Sequence, residues 1–196
     1  MIDIIFIFIN LLFGFVVLFL TVAFVTGAPF VPSTKPVSRK MIEFANIEKG
    51  MKVYDLGSGD GRLLALAADR GAMVVGYEIN PFLVIISSVL LMLRGYRLQT
   101  SVRWKNFWSA PISDADVLFV YLLPWRMKEL EQKLDRELKP GTLVVSNSFI
   151  FPNWKILQQD PVLHVYAFRV GKIDTFDTLS INPEHAKNID PACRMG

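Results

Sequence analysis

The chain has 196 residues, 52% of them hydrophobic, and a net charge of +3, enough for one domain with a sizeable core and not for two. So mild a balance, with no run of five Lys or Arg and no basic stripe interleaved with aromatics, argues against a nucleic-acid partner. A lone cysteine, Cys193, excludes an internal disulfide and a cysteine-based metal cluster.

Mean hydropathy is +0.37, high for a purely soluble domain, and the excess sits at the start. Ile4 to Val25 holds no charged residue and is interrupted only by Asn10, Gly14 and Thr21. About 22 helical residues span roughly 33 Å, the thickness of a bilayer's hydrocarbon core. Residues 4–25 are therefore expected to cross a lipid bilayer as one transmembrane helix. A cleaved signal peptide needs a basic start and a shorter apolar run; here the only early charge is Asp3, although Thr26-Gly27-Ala28 could serve as a cleavage site. Lys35, Arg39 and Lys40 follow the span and nothing basic precedes it, so the positive-inside rule places the remaining chain on the cytoplasmic side. The expected organisation is an anchor over 1–27, one domain over 28–182 and a polar tail over 183–196.

Pro29, Pro32 and Pro36 make the next segment a short stiff spacer. Ser38 to Asn46 predicts a helix, with Met41, Ile42 and Ala45 on one face, able to cover the glycine loop after the first strand. Gly50 ends the helix and Met51 opens that strand.

The strand runs into Val53-Tyr54-Asp55-Leu56-Gly57-Ser58-Gly59-Asp60-Gly61-Arg62, and Leu63 to Ala68 is a run of strong helix formers. Strand, glycine loop and helix build a nucleotide-type site, because glycine lets the backbone turn and approach a ligand and the helix start offers N–H groups. The glycines are spaced G-x-G-x-G, not G-x-G-x-x-G. Asp55 and Asp60 would face a pyrophosphate with like charge. They suit a ligand with an ammonium, a sulfonium and ribose hydroxyls, which is S-adenosylmethionine. A second apolar strand, Ala72 to Glu78, ends in an acid about 20 residues past the first glycine, where such βαβ units hold the ribose. Strand-end solvation of Asp55 and Glu78 around a plain tight turn is the other reading.

Asn80-Pro81 is a helix start, and the helix runs through Phe82 to Arg94 and stops at Gly95. Pro81 to Leu93 is almost wholly apolar yet too short to cross a bilayer, hence buried or membrane-facing. Val102 to Trp104 and Asp116 to Leu123 are the third and fourth strands. Trp125 to Leu138 is a helix with Glu129 and Lys133 at i, i+4. Thr142 to Ser146 is the fifth strand. His164 to Val170 and Thr178 to Ile181, joined through Gly171, are expected to form an antiparallel hairpin. The fold class is α/β: a Rossmann-like, mostly parallel seven-stranded sheet covered on both faces.

This pattern resembles the class I S-adenosylmethionine-dependent methyltransferases over residues 28–182. Pro29-Phe30-Val31-Pro32-Ser33, Val53 to Arg62, Asn106-Phe107-Trp108, Tyr121-Leu122-Leu123-Pro124 and Val145-Ser146-Asn147 resemble the small membrane-anchored protein-lysine methyltransferases that act on the ATP synthase c-subunit and the adenine nucleotide carrier. The resemblance implies cofactor contacts from Asp55, Gly57, Ser58, Gly59, Asp60, Gly61, Glu78 and Asn80. It places Asn106 and Phe107 at the adenine and Tyr121 to Pro124 at the transfer site. Asn106 stands where an aspartate is expected, and its carbonyl oxygen can still accept from the adenine amine. The D/N-P-P-Y motif of many amino-methylating enzymes is absent, with Tyr-Leu-Leu-Pro in its place.

Displacement at a sulfonium needs alignment and desolvation of the nucleophile, with no metal and no general base. Tyr121, Pro124 and Trp125 are the candidates for positioning a lysine head, Tyr121 and Trp125 by ring face or hydroxyl; both also read as core packing. His164 begins a predicted strand and His185 lies in the tail, so neither is a catalytic candidate. Asn147 and Trp154 follow the fifth strand near the active face. The expected substrate is a lysine of an integral membrane protein. A lipid or quinone-like substrate, or a catalytically silent cofactor-binding membrane module, are the alternatives.

Overall fold

The computed structural model describes residues 2–26 and 31–171, with the side chains of the first helix at 3–15, 17 and 21. A single sheet organises the domain. Its strands are β1 (Lys52–Leu56), β2 (Met73–Glu78), β3 (Thr100–Trp104), β4 (Val117–Val120), β5 (Leu143–Asn147), β6 (Ile156–Asp160) and β7 (Val165–Arg169), in the order β3-β2-β1-β4-β5-β7-β6. The first five are parallel, and β7 runs antiparallel between β5 and β6.

Period-two alternation sends successive side chains to opposite faces, and both faces are dry. Val53, Val117, Phe119 and Val145 pack against α2 (Lys35–Ala45), α3 (Arg62–Ala68) and Leu91 of α4 (Pro81–Leu93). Tyr54, Leu118, Val144 and Phe168 pack against Met127, Leu130 and Leu134 of α5 (Pro124–Glu137). The chain winds outward from β1 to β3, then returns to lay β4 on the other side of β1. That reversal opens a crevice beyond the carboxyl ends of β1 and β4, the usual ligand position in open α/β sheets.

Most predicted elements appear within a few residues of their expected bounds. α2 starts at Lys35 because Pro36 is tolerated in a helix's first turn. The predicted fourth strand stops at Val120, and Tyr121 to Leu123 form the turn into α5, which opens on Pro124. Lys133 pairs with Glu137 at 2.6 Å rather than with Glu129, which takes Arg126 at 2.7 Å. Lys133 also donates to the Ala110 carbonyl at 3.2 Å, a contact from another element that i, i+4 spacing cannot reveal.

The hairpin corrects the sequence reading. β7 lies where expected, but its partner is Ile156–Asp160, not Thr178 to Ile181, which lies outside the described residues. Asp160 turns the chain by accepting from the N–H groups of Val162 and Leu163 at 3.1 and 2.9 Å, and Pro161 follows it. His164 is the last turn residue, with φ of 52°, rather than the first of the strand.

α1 (Ile2–Thr26) is helical and exposes Ile4, Phe6, Phe8, Leu11 and Phe13. Among the described residues no helix is long and apolar enough to cross a membrane. The structure therefore does not show the expected span over residues 4–25.

Candidate active site

The loop after β1 takes its shape from its glycines. Gly57, Gly59 and Gly61 have φ of 87°, 55° and 78°, the left-handed region that Cβ-bearing residues rarely adopt. The Gly57 and Ser58 N–H groups donate to the Tyr77 carbonyl at 2.9 and 3.1 Å, stitching the loop onto the end of β2. Glu78 completes the join: Oε2 accepts from the Gly59 N–H at 2.8 Å and Oε1 from the Asn80 N–H at 2.9 Å. Asn80 in turn caps α4 through the Phe82 N–H. The acid expected to hold a ribose thus also positions the loop.

Asp55 is buried beneath this loop. Among the described residues no hydrogen bond reaches its carboxylate. Burial pushes its pKa up to about 7, helped by the charges of Glu78 and Asp60. Ser58 Oγ is likewise buried without a hydrogen-bond partner. A buried acid and an orphaned hydroxyl under an open backbone cradle are costly unless a ligand satisfies them. A cationic, hydroxyl-rich ligand fits this donor and acceptor set.

Asp60 behaves differently from the expectation of a ligand-facing acid. Both its oxygens accept from Arg62, the closest contact being 2.6 Å, and this bonding holds its pKa below the usual carboxylate range. Arg62 also donates to the Ser33 carbonyl at 2.5 Å. Ser33 Oγ meets Asn147 Nδ2 at 3.0 Å, and Asn147 accepts from the Ser148 hydroxyl at 2.9 Å. These bonds tie the segment before α2 to the glycine loop and to the end of β5. Ser148 takes a left-handed φ of 69° there, a departure that Cβ-bearing residues make chiefly where surroundings enforce it.

The remaining candidates are divided between surface and core. Asn106 is exposed, and its Oδ1 accepts from the Trp108 N–H at 3.1 Å, capping the short 3₁₀ turn Phe107–Ser109. Phe107 is buried and packs against Trp108, so it lies in the core rather than on open surface. Leu56 pairs with both Tyr77 and Val120, so Gly57, Tyr121 and Glu78, the last residue of β2, follow at the same level of the sheet. Tyr121 is half-buried; Pro124 and Trp125 are exposed at the start of α5. Arg126 lies over the Trp108 ring at 4.5 Å. Trp154 donates to Asp135 at 3.0 Å and packs at a tilt against Phe151, a packing role. Among the described residues no group of three His, Cys, Asp or Glu could hold a metal ion.

One residue the sequence reading passed over is Gly76, in the middle of β2. A Cβ there would stand 2.6 Å from Ser58 Oγ and 2.7 Å from Leu64 Cδ1. A lone glycine inside a strand pattern signals such a close approach. Gly76→Ala is expected to destabilise the fold by about 1–3 kcal/mol, the usual cost of overpacking, and to weaken ligand binding through displacement of Ser58. Denaturant unfolding and calorimetry check both; unchanged values would mean that loop and strand are not in contact.

The ANTKMT methyltransferase domain model matches residues 55–158. The chain belongs to this family. It is thus an S-adenosylmethionine-dependent methyltransferase, and S-adenosylmethionine is the cofactor that the glycine loop and its acids suggested. A Saccharolobus islandicus protein named protein-lysine N-methyltransferase is 37% identical over 67% of this chain and 83% of its own length. The human lysine N-methyltransferase of the ATP synthase c-subunit is 34% identical over 64% of this chain, which spans 54% of that protein. A Salinibacter ruber structure, described as an RNA methyltransferase with S-adenosyl-L-homocysteine, has a TM-score of 0.69 and 35% identity, covering 74% of this chain and 97% of that one.

Proposed function

We propose that the protein transfers a methyl group to the side-chain amine of lysine in a membrane protein, with its catalytic domain on the cytoplasmic side of the bilayer and α1 as its anchor. The observation that carries the lysine reading is the 37% identity shared with the Saccharolobus protein-lysine N-methyltransferase over 83% of that protein. The site's chemistry supports it. S-adenosylmethionine supplies a methyl group on a positively charged sulfur. Asp55 would face its ammonium, and Glu78, which accepts from the Gly59 and Asn80 N–H groups, would accept from its ribose hydroxyls through the remaining lone pairs. Asn106, with Phe107 behind it in the core, would border the adenine, and the left-handed glycines 57, 59 and 61 would leave room for the backbone to approach.

A lysine amine has an ordinary pKa of about 10.4 and must lose its proton before it can attack. Tyr121 follows Val120 at the end of β4 and Trp125 is exposed at the start of α5, and ring faces of this kind hold an alkylammonium. Burial there, beside a cationic cofactor, favours the neutral amine. Pro124 fixes the start of α5 and hence the direction of Trp125. The side chains align and dry the nucleophile, the main requirement of this transfer.

The anchor is supported by the uncharged sequence from Ile4 to Val25, the apolar side chains exposed along α1 and the basic Lys35, Arg39 and Lys40 after it. About ten residues separate Val25 from α2, a tether of at most roughly 35 Å, which confines the cleft to the membrane's vicinity.

Incubation with radiolabelled cofactor and fractionated membranes tests the substrate class, with label expected in protein as methyl-lysine after hydrolysis. Label in extracted lipid would favour a lipid or quinone-like substrate, label in RNA would favour the activity named for the Salinibacter protein, and none in any fraction would favour a silent module. Deleting residues 1–26 is expected to leave cofactor binding intact and to lower methylation of the target in native membranes. Equal rates with and without α1 would remove the anchor from substrate selection.

A further inference from the structure

We propose that the outer face of α4, with the adjoining β3 edge, is a second membrane-contact surface that docks on an anionic bilayer. α4 turns Ser87 and Leu91 inward. The Ser87 Cβ lies within 3.0 Å of where a Cβ on Gly61 would be, so the helix rests directly on the cofactor loop. Its other side shows Phe82, Ile85, Ile86, Val89, Leu90 and Leu93, all exposed. These recur at three- and four-residue spacing and form one stripe. The same protein makes ordinary solvent-facing helices: the outer face of α5 carries Lys128, Glu129, Gln132, Asp135 and Arg136. Only Ser88 interrupts the apolar surface of α4. A continuous exposed apolar face of this kind marks a contact with lipid or protein.

Charge selects the lipid. From Ile79 to Ser113 there are four basic residues, Arg94, Arg97, Arg103 and Lys105, and no acidic one. The whole chain is +3, so the rest of it is −1. Three of these four, Arg94, Arg97 and Lys105, flank α4 and the Trp104 end of β3, as many charges as the chain's whole net surplus. Arg94 and Arg97 follow the end of α4, on either side of exposed Gly95 and half-buried Tyr96, and Lys105 follows β3. Leu98 between them is 90% exposed and Trp104 at the sheet edge is 70% exposed. Trp104 donates its indole N–H to the Ile79 carbonyl at 2.9 Å, which lays the ring beside the start of α4. Arg103 points to the opposite face of β3, and Asp69, the nearby acid, is bonded to the Tyr96 hydroxyl. An apolar stripe bordered by basic side chains and an indole is how a helix lies in the headgroup region of anionic lipid. Aliphatic side chains give nucleic-acid bases nothing to stack on beyond Phe82 and Trp104. Docked so, α4 joins the bilayer surface to the glycine loop through the Ser87–Gly61 contact.

This extends the membrane reading above, and one experiment separates them. In the full chain with Cys193→Ser, a polarity-sensitive fluorophore is placed at Leu98→Cys or, as control, at the 83%-exposed Val162 as Val162→Cys. Both are reconstituted with vesicles of phosphatidylcholine and phosphatidylserine, after verifying that each binds cofactor. The Leu98 label is expected to shift to the blue and be quenched by headgroup-depth quencher lipids, more strongly with phosphatidylserine than without, and the Val162 label to stay in water. Equal quenching at both sites while the chain sediments with vesicles would overturn the α4 surface and leave the α1 anchor standing. A chain that neither sediments nor responds would overturn both. A blue shift without lipid that grows with protein concentration, or that appears on adding RNA, would overturn the lipid proposal in favour of a second copy or a nucleic acid.

Discussion

Asp55→Asn is expected to weaken S-adenosylmethionine binding by roughly 1.5–3 kcal/mol, about tenfold to a hundredfold, the range for a hydrogen bond to a charged group. At the same time the cofactor-free variant gains stability relative to wild type as the pH rises from about 5 to about 8. The two effects have one cause. Asp55 has a pKa raised from 3.8 to about 7, chiefly by burial. Between those values the folded protein holds a proton that the unfolded chain has released, so wild-type stability falls as pH rises through this window and levels off above it. Asparagine has no proton to lose and removes that slope. In wild type, the ligand's ammonium favours the ionised carboxylate, so affinity climbs as pH rises toward about 7, with a proton released on binding, and levels off above it. The variant's affinity stays flat. Thermal unfolding and calorimetry at about pH 5 and pH 8 give all four quantities. A variant with the wild-type pH slope, or with undiminished affinity at pH 8, would show that Asp55 is not the buried acid facing the cofactor.

The parts of this site legible in the sequence are those in which a short motif carries its own geometry. Alternate glycines at 57, 59 and 61 announce a turn with positive φ, and the structure gives each of them one. Glu78 ends an apolar strand, and pairing of Leu56 with Tyr77 brings it beside the loop. What stayed hidden depends on distant partners. The side chain of Asp60 is taken by Arg62, whose third contact is Ser33, 29 residues away in sequence. No spacing rule predicts that bond. Gly76 is a small residue whose purpose is a neighbour's position, so only the contact with Ser58 explains it. The first strand of the hairpin is hidden in the sequence because Ile156 to Asp160 is polar at Gln158 and Gln159 and lies at the sheet edge with half-buried or exposed side chains. Its strand signal is correspondingly weak. The Asp160-Pro161 turn was the stronger clue, and its two backbone hydrogen bonds define the reversal.

Glu78→Ala is expected to cost more than Asp55→Asn, roughly 2–4 kcal/mol in S-adenosylmethionine affinity, because a carboxylate with several charge-assisted partners is lost at once. Glu78 holds the loop by accepting from Gly59 and Asn80, and in the proposed complex also accepts from the ribose. Alanine leaves the buried Gly59 N–H without its acceptor, so the loop loosens in the free protein as well. The variant therefore unfolds at lower denaturant, as well as binding less tightly. Loosening alone would also weaken binding, so the ribose contact needs its own measurement. Binding of S-adenosyl-L-homocysteine and of its 2′-deoxy and 3′-deoxy ribose analogues is compared in wild type, Glu78→Ala and Glu78→Gln. Wild type is expected to discriminate against a missing hydroxyl by about 1–3 kcal/mol, the cost of leaving a buried acceptor unmet. Glu78→Ala has no such acceptor and is expected to bind the deoxy and parent ligands alike. Glu78→Gln keeps one carbonyl acceptor but turns an amide NH2, a donor, toward a backbone N–H, and should fall between them. The difference between the two discriminations is a coupling energy for this contact, free of any general loss of fold. Unchanged discrimination in Glu78→Ala would move the ribose away from Glu78, leaving it a purely structural brace between β2 and the glycine loop.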